Sequence, residues 1–314
     1  MRIGVVVDSG CDLPKSFIDE NKIVVLPISI RVGDQTLVDN RDPAATLEFY
    51  KKHLGDKGHD AESIPFSMEQ IRDLFLQRLV VDFDYVFCLT IMSSRSPIYE
   101  NAMKASLAII NGYKPIRSKA GHASPFALRV MDTQNLFAGQ GVSAVEVVRM
   151  IKAGESANRI RERLEHIIRN TYLYGIPNDL FYLRARAQKK GDRSVGWMSA
   201  ALGTALDIKP VIRAHLGETG PVAKLRHFDQ GCQKLFAFVT ERVKVGLIAP
   251  IVCISYGGPL EDLRKLPGYE AFAIHCRANK VEVYESNMSL TGAVNVGEGA
   301  LTIGFASGPH EVAF

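Results

Sequence analysis

The amino-terminal segment is the sequence feature that most constrains the fold. Residues 3–7 read Ile-Gly-Val-Val-Val, and Asp8 ends this apolar run. An uninterrupted run rich in β-branched residues is typical of a strand buried on both faces, as in a parallel sheet covered by helices. A polar turn with Ser9 and Asp12 follows directly. The sequence therefore predicts a parallel α/β sheet with polar side chains where its first strand ends.

Strand and helix patterns alternate along the first half of the chain and change near residue 165. Before that point, strand candidates at 85–91 and 127–131 alternate with helical spacing, for instance at 66–80. Such alternation is typical of a largely parallel sheet. Beyond it, short strand candidates, one of them at 271–275, surround predicted helices.

We therefore predict an α/β protein of two domains. Residues 1–165 are expected to form a Rossmann-like domain with a parallel sheet and helices on both faces. Residues 166–314 are expected to form an α/β two-layer domain with a mixed or antiparallel sheet and helices at 194–206 and 228–242. In open α/β sheets, ligands bind outside the carboxyl ends of the strands, so the loops there are the first candidates for a site.

The composition excludes several classes of protein. Of the 314 residues, 46% are hydrophobic and 23% are charged, which excludes disordered and collagen-like chains. The net charge of +4 is small and scattered, so we expect no nucleic-acid partner. The apolar stretch 245–254 is interrupted by Pro250 and is shorter than the ~20 residues of a spanning helix. Because residues 1–7 are also too short for a signal peptide, we expect a cytoplasmic protein without membrane insertion.

The common cofactor, metal and catalytic motifs are missing from the sequence. The five cysteines include no C-x-x-C pair, and the eight histidines show no metal-ligand spacing. The sequence contains no P-loop and no G-x-S-x-G elbow, and no G-x-G-x-x-G follows the first strand. We therefore predict no metal, no cofactor and no catalytic residue.

Residues 92–97, which we call the serine loop, follow a predicted strand and contain three serines. Hydroxyls and free N–H groups at the start of a helix bind carboxylates and phosphates. Ser96 also fits a simpler role as a helix N-cap, with Pro97 at the first helical position. Capping does not explain Ser93 and Ser94, so an anion site and a plain cap both stay open.

Nine short motifs run through the chain in one characteristic order. Val7-Asp-Ser-Gly-Cys-Asp-Leu-Pro14 resembles D-S-x-x-D-L-P, and Ser63-Ile-Pro65 resembles T-S-Q-P. Ser93-Ser-Arg-Ser-Pro-Ile-Tyr99 resembles S-x-x-S-G-T-Y, and Gly297-Glu-Gly299 resembles G-P-G. Five weaker matches lie at 25–27, 179–183, 191–193, 208–210 and 224–226. Together they make the chain similar, over its whole length, to the DegV family of bacterial fatty-acid-binding proteins.

This resemblance implies two α/β domains with a long-chain fatty acid bound between them. In that family, the protein is a carrier that presents the acyl carboxylate to a separate fatty-acid kinase and is not itself the catalyst. The resemblance also implies residues for the ligand carboxylate, further residues of the ligand loops, and one residue for kinase docking. The implied ligands of the carboxylate are Ser63, Ser93, Ser96 and Asn295. The further residues of the ligand loops are Asp8, Ser9, Glu62 and Gly297. The residue implied for kinase docking is Arg226.

Three residues depart from the family pattern at the implied carboxylate site. Glu62 replaces a threonine, and an acidic side chain there would repel a ligand carboxylate. Asn295 replaces a histidine and donates two N–H bonds, but it cannot become cationic. Pro97 replaces a glycine and lacks a backbone N–H. The sequence therefore indicates a divergent member, and three alternatives stay open: another ligand, an interaction module, or a serine- or aspartate-dependent enzyme.

Overall fold

The computed structural model describes residues 1–52, 61–180 and 207–314, which form three sheets and their covering helices. In chain order the strands are β1 (Ile3–Asp8), β2 (Val24–Leu26), β3 (Ile28–Val32), β4 (Gln35–Asp39), β5 (Ala61–Pro65), β6 (Tyr85–Thr90), β7 (Ala127–Asp132), β8 (Thr171–Ile176), β9 (Ile208–His215), β10 (Glu218–Arg226), β11 (Ile251–Tyr256), β12 (Glu282–Asn287) and β13 (Leu301–Ala306).

The helices pack on these sheets. In chain order they are α1 (Lys15–Glu20), α2 (Pro43–Lys51), α3 (Met68–Leu74), α4 (Val80–Asp82), α5 (Ile98–Ala108), α6 (Tyr113–Lys119), α7 (Phe137–Lys152), α8 (Ala157–Asn170), α9 (Phe228–Val245), α10 (Leu260–Leu263), α11 (Tyr269–Ala278) and α12 (Leu290–Val296). A π-helical turn (Phe75–Leu79) joins α3 to α4. The helix predicted at 194–206 and the motif at 191–193 lie outside the described residues.

Two large sheets confirm the predicted two-domain α/β architecture. Sheet A has the strand order β2-β1-β6-β7, and each neighbouring pair is parallel. Val5, Val6 and Val7 are buried in it, as the apolar run predicts. Sheet C has the order β10-β9-β8-β13-β11-β12, in which β11 and β12 are parallel and the other neighbours antiparallel.

A third sheet was not predicted from the sequence. Sheet B is antiparallel, with the order β4-β3-β5. Pro27 separates β2, which pairs in sheet A, from β3 at the centre of sheet B. Since proline has no N–H to donate to a strand ladder, one apolar run becomes two strands in different sheets.

Helix α7 lies between the two large sheets. It contacts β1 and β6 of sheet A and β8, β11 and β13 of sheet C. Its residues are buried continuously from Phe137 to Val148, as expected for a helix covered on several sides. A Cβ at Gly304 of β13 would lie 2.6 Å from the Ala138 carbonyl, so a glycine is needed for this approach. The domain boundary predicted at residue 165 falls inside α8 and stays a prediction.

One predicted strand is wrong. Residues 271–275 belong to helix α11, in which Phe272 and Cys276 are fully buried. Residues four apart share one face of a helix, and this face packs on α9. A short apolar run alone does not distinguish a strand from a buried helix, which is why the sequence pattern misled.

Candidate functional site

Asp8 joins the loops at the carboxyl end of sheet A. Its side chain is completely buried at the end of β1. One carboxylate oxygen accepts the N–H of Ile91, just before the serine loop, at 2.6 Å, and the amide of Gln140 of α7 at 3.2 Å. The other accepts the N–H of Gly10 at 2.9 Å. Asp8 therefore holds the start of the serine loop against β1 and α7.

Burial opposes the negative charge of Asp8, and the hydrogen-bond donors around it offset this effect in part. Burial raises the pKa of Asp8 to about 6, although the N–H groups of Ile91 and Gly10 and the Gln140 amide lower it. A Cβ at Gly10 would lie 2.9 Å from the carboxylate, so a side chain there would disturb this arrangement. Because protein donors surround the carboxylate, its observed role is to order the loops; ligand contact stays a prediction.

Ser9 brings two further elements to the same place. Its hydroxyl accepts the N–H of Ile28, at the start of sheet B, at 3.1 Å. It also lies 3.4 Å from the hydroxyl of Thr291 in α12. The end of β1 is thus the point where the serine loop, sheet B and α12 converge.

The serine loop is anchored through its backbone. Ser93 is exposed, and its N–H donates to Asp132 at the end of β7 at 3.1 Å. The Ser96 hydroxyl accepts the N–H of Ile98 at 3.3 Å, so Ser96 does satisfy a helix-start donor. The N-cap of α5 is Pro97 and not Ser96, so the helix begins one residue later than predicted, at Ile98. The hydroxyl of Ser93 therefore lies on a fixed backbone at the protein surface.

Sequence reasoning missed the contact between the serine loop and the β9–β10 turn. The Ser94 hydroxyl donates to the carbonyl of Gly217 at 2.6 Å, and the N–H of Gly217 donates to the Gln134 carbonyl at 2.8 Å. Arg95 donates to the hydroxyl of Thr219. Gly217 between two strand candidates predicts a turn, but only the tertiary structure shows which loop the turn contacts.

Ser63 and Glu62 lie on opposite faces of sheet B. Ser63 is opposite the buried Ile30, whereas Glu62 is opposite the exposed Arg31 and forms an ion pair with it. Successive side chains of a strand alternate between faces, so Glu62 does not accompany Ser63. A ligand carboxylate bound at Ser63 would therefore lie on the other face of the sheet from Glu62, so the expected repulsion between them does not follow from this geometry.

Asn295 and Gly297 are brought close to sheet B by α12. This helix contacts β3, β5 and α2. Asn295 is half-buried, and its amide donates to the Thr291 carbonyl at 2.6 Å. Gly297 ends the helix with φ of 87°, and its carbonyl would lie 2.8 Å from a Cβ at Gly257. The backbone at Gly297 therefore passes close to the backbone at Gly257. The side-chain amide of Asn295 has a second N–H group that can donate to a ligand.

Arg226 is not brought to this site. It is exposed at the end of β10, the edge strand of sheet C, opposite Ile208. Thr219, near the other end of β10, contacts the serine loop. At about 3.3 Å per residue, the seven residue-to-residue steps from Thr219 to Arg226 span about 23 Å. The sequence also contains a basic cluster with Arg184, Arg186 and Arg193, which lies outside the described residues.

A buried ion pair beside the site was also missed. Arg41 Nη1 lies 3.0 Å from Asp12 Oδ1, and their side chains are 3% and 0% exposed. Burial raises the pKa of Asp12, and the Arg41 guanidinium opposes that rise. Charged residues are usually exposed, so nothing in the sequence around Arg41 indicated burial.

Across residues 1–52, 61–180 and 207–314, no group of three or more His, Cys, Asp or Glu side chains is arranged to hold a metal ion. In the same part of the chain, no helix is long and apolar enough to cross a membrane. All five cysteines are free and buried, and burial raises the pKa of each thiol.

The fold and the convergent loops define a two-domain α/β protein with polar groups gathered at the carboxyl end of a parallel sheet. A family model described as "Uncharacterised protein, DegV family" matches residues 2–308. A DegV domain-containing protein from Xanthomonas axonopodis pv. citri is 60% identical over 310 residues, 99% of each chain. The chain therefore belongs to the DegV family, as the motifs predicted.

Solved structures agree with this fold. DegV, described as a fatty acid binding protein from Bacillus subtilis, aligns with a TM-score of 0.75 at 20% identity, covering 98% of this chain and 99% of that one. A stearic acid-binding protein from Eubacterium ventriosum aligns with a TM-score of 0.74 at 21% identity, covering 97% and 98%. At these identities the likeness establishes the architecture.

Proposed function

We propose that this protein binds a long-chain fatty acid, or a similar amphiphile with an anionic head group, between its two domains. The observation that carries the proposal is the convergence of sheet B, the serine loop and α12 around the end of β1, because these elements bear all four predicted carboxylate ligands. Family membership and the names of the solved relatives support the same ligand class.

The head group is bound by neutral donors in this proposal. Ser63 and Ser93 supply hydroxyls and Asn295 supplies its amide, with Ser96 at the start of α5. A hydrogen bond to a charged group contributes about 1.5–3 kcal/mol, so a few donors suffice to select a carboxylate. The acyl chain adds about 0.8 kcal/mol per buried CH₂ and supplies most of the affinity.

We further propose that the protein is a carrier for a separate kinase and not a serine-dependent enzyme. The Ser94 hydroxyl donates to a backbone carbonyl, and the Ser96 hydroxyl accepts a backbone N–H. These two hydroxyls are engaged by the backbone, whereas a nucleophile requires a neighbouring base. The exposed Arg226 is the docking candidate for the kinase.

Native mass spectrometry of the full-length protein tests the ligand class. Protein purified under mild conditions should carry a mass of a C14–C20 acid, which organic extraction removes and added hexadecanoic acid restores. A bound mass of another class would support a different ligand. Protein that neither carries nor takes up an acyl compound would contradict the proposal and favour the interaction module.

A further inference from the structure

A hydrogen-bonded bridge connects sheet B to α12, the two elements that carry Ser63 and Asn295. Asp39, at the end of β4, accepts both the N–H and the hydroxyl of Thr291, each at 2.8 Å. The Thr291 carbonyl in turn accepts the Asn295 amide at 2.6 Å. This bridge therefore fixes how far Asn295 lies from the sheet that carries Ser63.

Arg41 holds Asp39 in this position. Its backbone N–H donates to the other carboxylate oxygen of Asp39 at 3.1 Å. Arg41 is in the left-handed region, with φ of 60°, which is unfavourable for a residue with a side chain. Such a conformation persists only where the surroundings impose it, and the guanidinium supplies that constraint.

The Arg41 guanidinium joins parts of the chain that are far apart in sequence. Nη1 pairs with Asp12, in the loop after β1, at 3.0 Å. The two N–H groups of Nη2 are shared among three acceptors at 3.1, 2.8 and 3.1 Å: the Leu13 carbonyl, the Ser286 hydroxyl and the Asn287 carbonyl. A planar guanidinium satisfies such a set in one orientation only, which a lysine ammonium cannot reproduce.

Asp12 extends the same network to the start of α12. One of its oxygens accepts the N–H of Ser289 at 3.1 Å, and the other accepts the Ser255 hydroxyl at 2.6 Å. Ser289 is the N-cap of α12, since its hydroxyl accepts the N–H of Gly292 at 3.0 Å. The ion pair therefore orients the first turn of α12, while Asp39 fixes the same helix at Thr291.

We propose that Arg41 is a positioning residue that gives the site its preference for a carboxylate head group. Through Asp39 and Asp12 it sets the spacing between Ser63 and Asn295, and hydrogen bonds weaken steeply when donors are displaced from about 3 Å. This inference rests on the proposed fatty-acid site and deepens it, because it assigns head-group selectivity to a buried residue outside the set of ligand donors.

The test compares hexadecanoic acid with hexadecanol, which have the same chain length and different head groups. Delipidated full-length wild type should bind the acid at least tenfold more tightly. Arg41→Lys retains a cation for Asp12 but loses the planar set of bonds, and it should reduce this preference about tenfold while hexadecanol binding changes little. The matched control is Arg117→Lys, a buried arginine at the opposite end of sheet A, which should leave the preference unchanged.

A second variant keeps the test decisive if Arg41→Lys does not fold. Thr291→Val removes the hydroxyl bond to Asp39 and should also lower the acid preference. An unchanged preference, or an equal loss in Arg117→Lys, would overturn the positioning role and leave the proposed ligand intact. A wild type that binds hexadecanol as tightly as the acid would overturn the proposed carboxylate site itself, and this inference with it.

Discussion

Two buried arginines lie at opposite ends of sheet A, and each pairs with one aspartate. At the amino end, Arg117 uses all five N–H groups: it donates to Asp84 and to Ser124, and to the backbone carbonyls of residues 80, 83 and 124. At the carboxyl end, Arg41 pairs with Asp12, but its Nε has no acceptor among the described residues.

The aspartate partners of the two arginines differ in exposure and in the direction in which their pKa is shifted. Asp84 is partly exposed, and its bonds to Arg2 and Arg117 hold its pKa well below the usual range. Asp12 is completely buried, and burial raises its pKa. Desolvation makes a buried ion pair a poor source of stability. Positioning therefore explains the Arg41–Asp12 pair better than a net gain in stability does, although removing one partner of the pair would still be costly.

Replacing each arginine by methionine should give the largest effect. Arg41→Met leaves the Asp12 carboxylate buried without a counter-charge, which costs about 3–5 kcal/mol. Arg117→Met leaves Asp84 with Arg2 and solvent, so the expected loss is smaller, about 1–3 kcal/mol from unsatisfied carbonyls. Urea unfolding at pH 7.5 measures both free energies of unfolding.

The stability losses of these two variants should also depend differently on pH. Lowering the pH should reduce the loss in Arg41→Met, since Asp12 can then take up a proton in the folded state. The loss in Arg117→Met should not shrink above about pH 4, because Asp84 still pairs with Arg2 and stays ionised there. Equal, pH-independent losses in both variants would contradict the different roles of the two ends.

Asp8 and Asp84 should contribute to stability with opposite slopes against pH. The folded-state pKa of Asp8 is raised from 3.8 to about 6, so the folded protein binds more protons than the unfolded chain between these values. Stability should therefore fall as pH rises from about 4 to 6, by at most about 3 kcal/mol. The pKa of Asp84 is lowered, so its contribution is present above pH 4 and is lost as pH falls.

Urea midpoints of wild type, Asp8→Asn and Asp84→Asn between pH 3 and 7 check these signs. Relative to Asp8→Asn, wild type should gain stability as pH falls from 6 to 4. Relative to Asp84→Asn, it should lose stability as pH falls below 4. A flat difference between wild type and Asp8→Asn would show that Asp8 keeps an ordinary pKa despite its burial.

The amino-acid pattern predicts local features of this fold better than contacts between distant segments. The run at residues 3–7 identifies β1, and the polar residues after it identify the carboxyl end of sheet A, where the candidate site lies, since both signals are contiguous in sequence. Sheet B escaped prediction because Pro27 divides one apolar run between two sheets. Once β5 is known to be a strand, alternation alone separates Ser63 from Glu62.

The Arg41 network shows the limit of such prediction. Arg41 stands between Asn40 and Asp42 in a polar segment that is typical of a surface loop. Its partner Ser286 is 245 residues away. No local pattern encodes a contact at that separation, whereas the family motifs, which are spread along the whole chain, predicted both the fold and the family.

Removing an exposed hydroxyl should weaken ligand binding at the carboxyl end of sheet A but not at its amino end. Ser93→Ala should weaken the binding of hexadecanoic acid about tenfold, because a hydrogen bond to a carboxylate is lost. Its thermal midpoint should stay nearly unchanged, since Ser93 is anchored through its backbone N–H. Ser118→Ala, at an exposed serine of α6 near the amino end, is the matched control. Equal affinities of wild type and Ser93→Ala would remove Ser93 from the site.

A third arginine extends the comparison from buried to exposed positions and should give the smallest effect. Arg226 lies at the far end of β10 from the serine loop and is open to solvent. Charges at an exposed position steer encounter more than they set affinity. With a cognate kinase, Arg226→Glu should slow acyl-phosphate formation a few-fold at low salt and leave hexadecanoic acid binding intact.

Salt and a matched variant separate docking from a general charge effect. The deficit of Arg226→Glu should shrink as ionic strength rises, because screening shortens the range of the interaction to about 8 Å at 0.15 M. Lys244→Glu makes the same change in net charge at an exposed position on α9 and should turn over normally. If Lys244→Glu slows the kinase equally, the effect belongs to net charge; if Arg226→Glu turns over normally at low salt, Arg226 is not a docking residue.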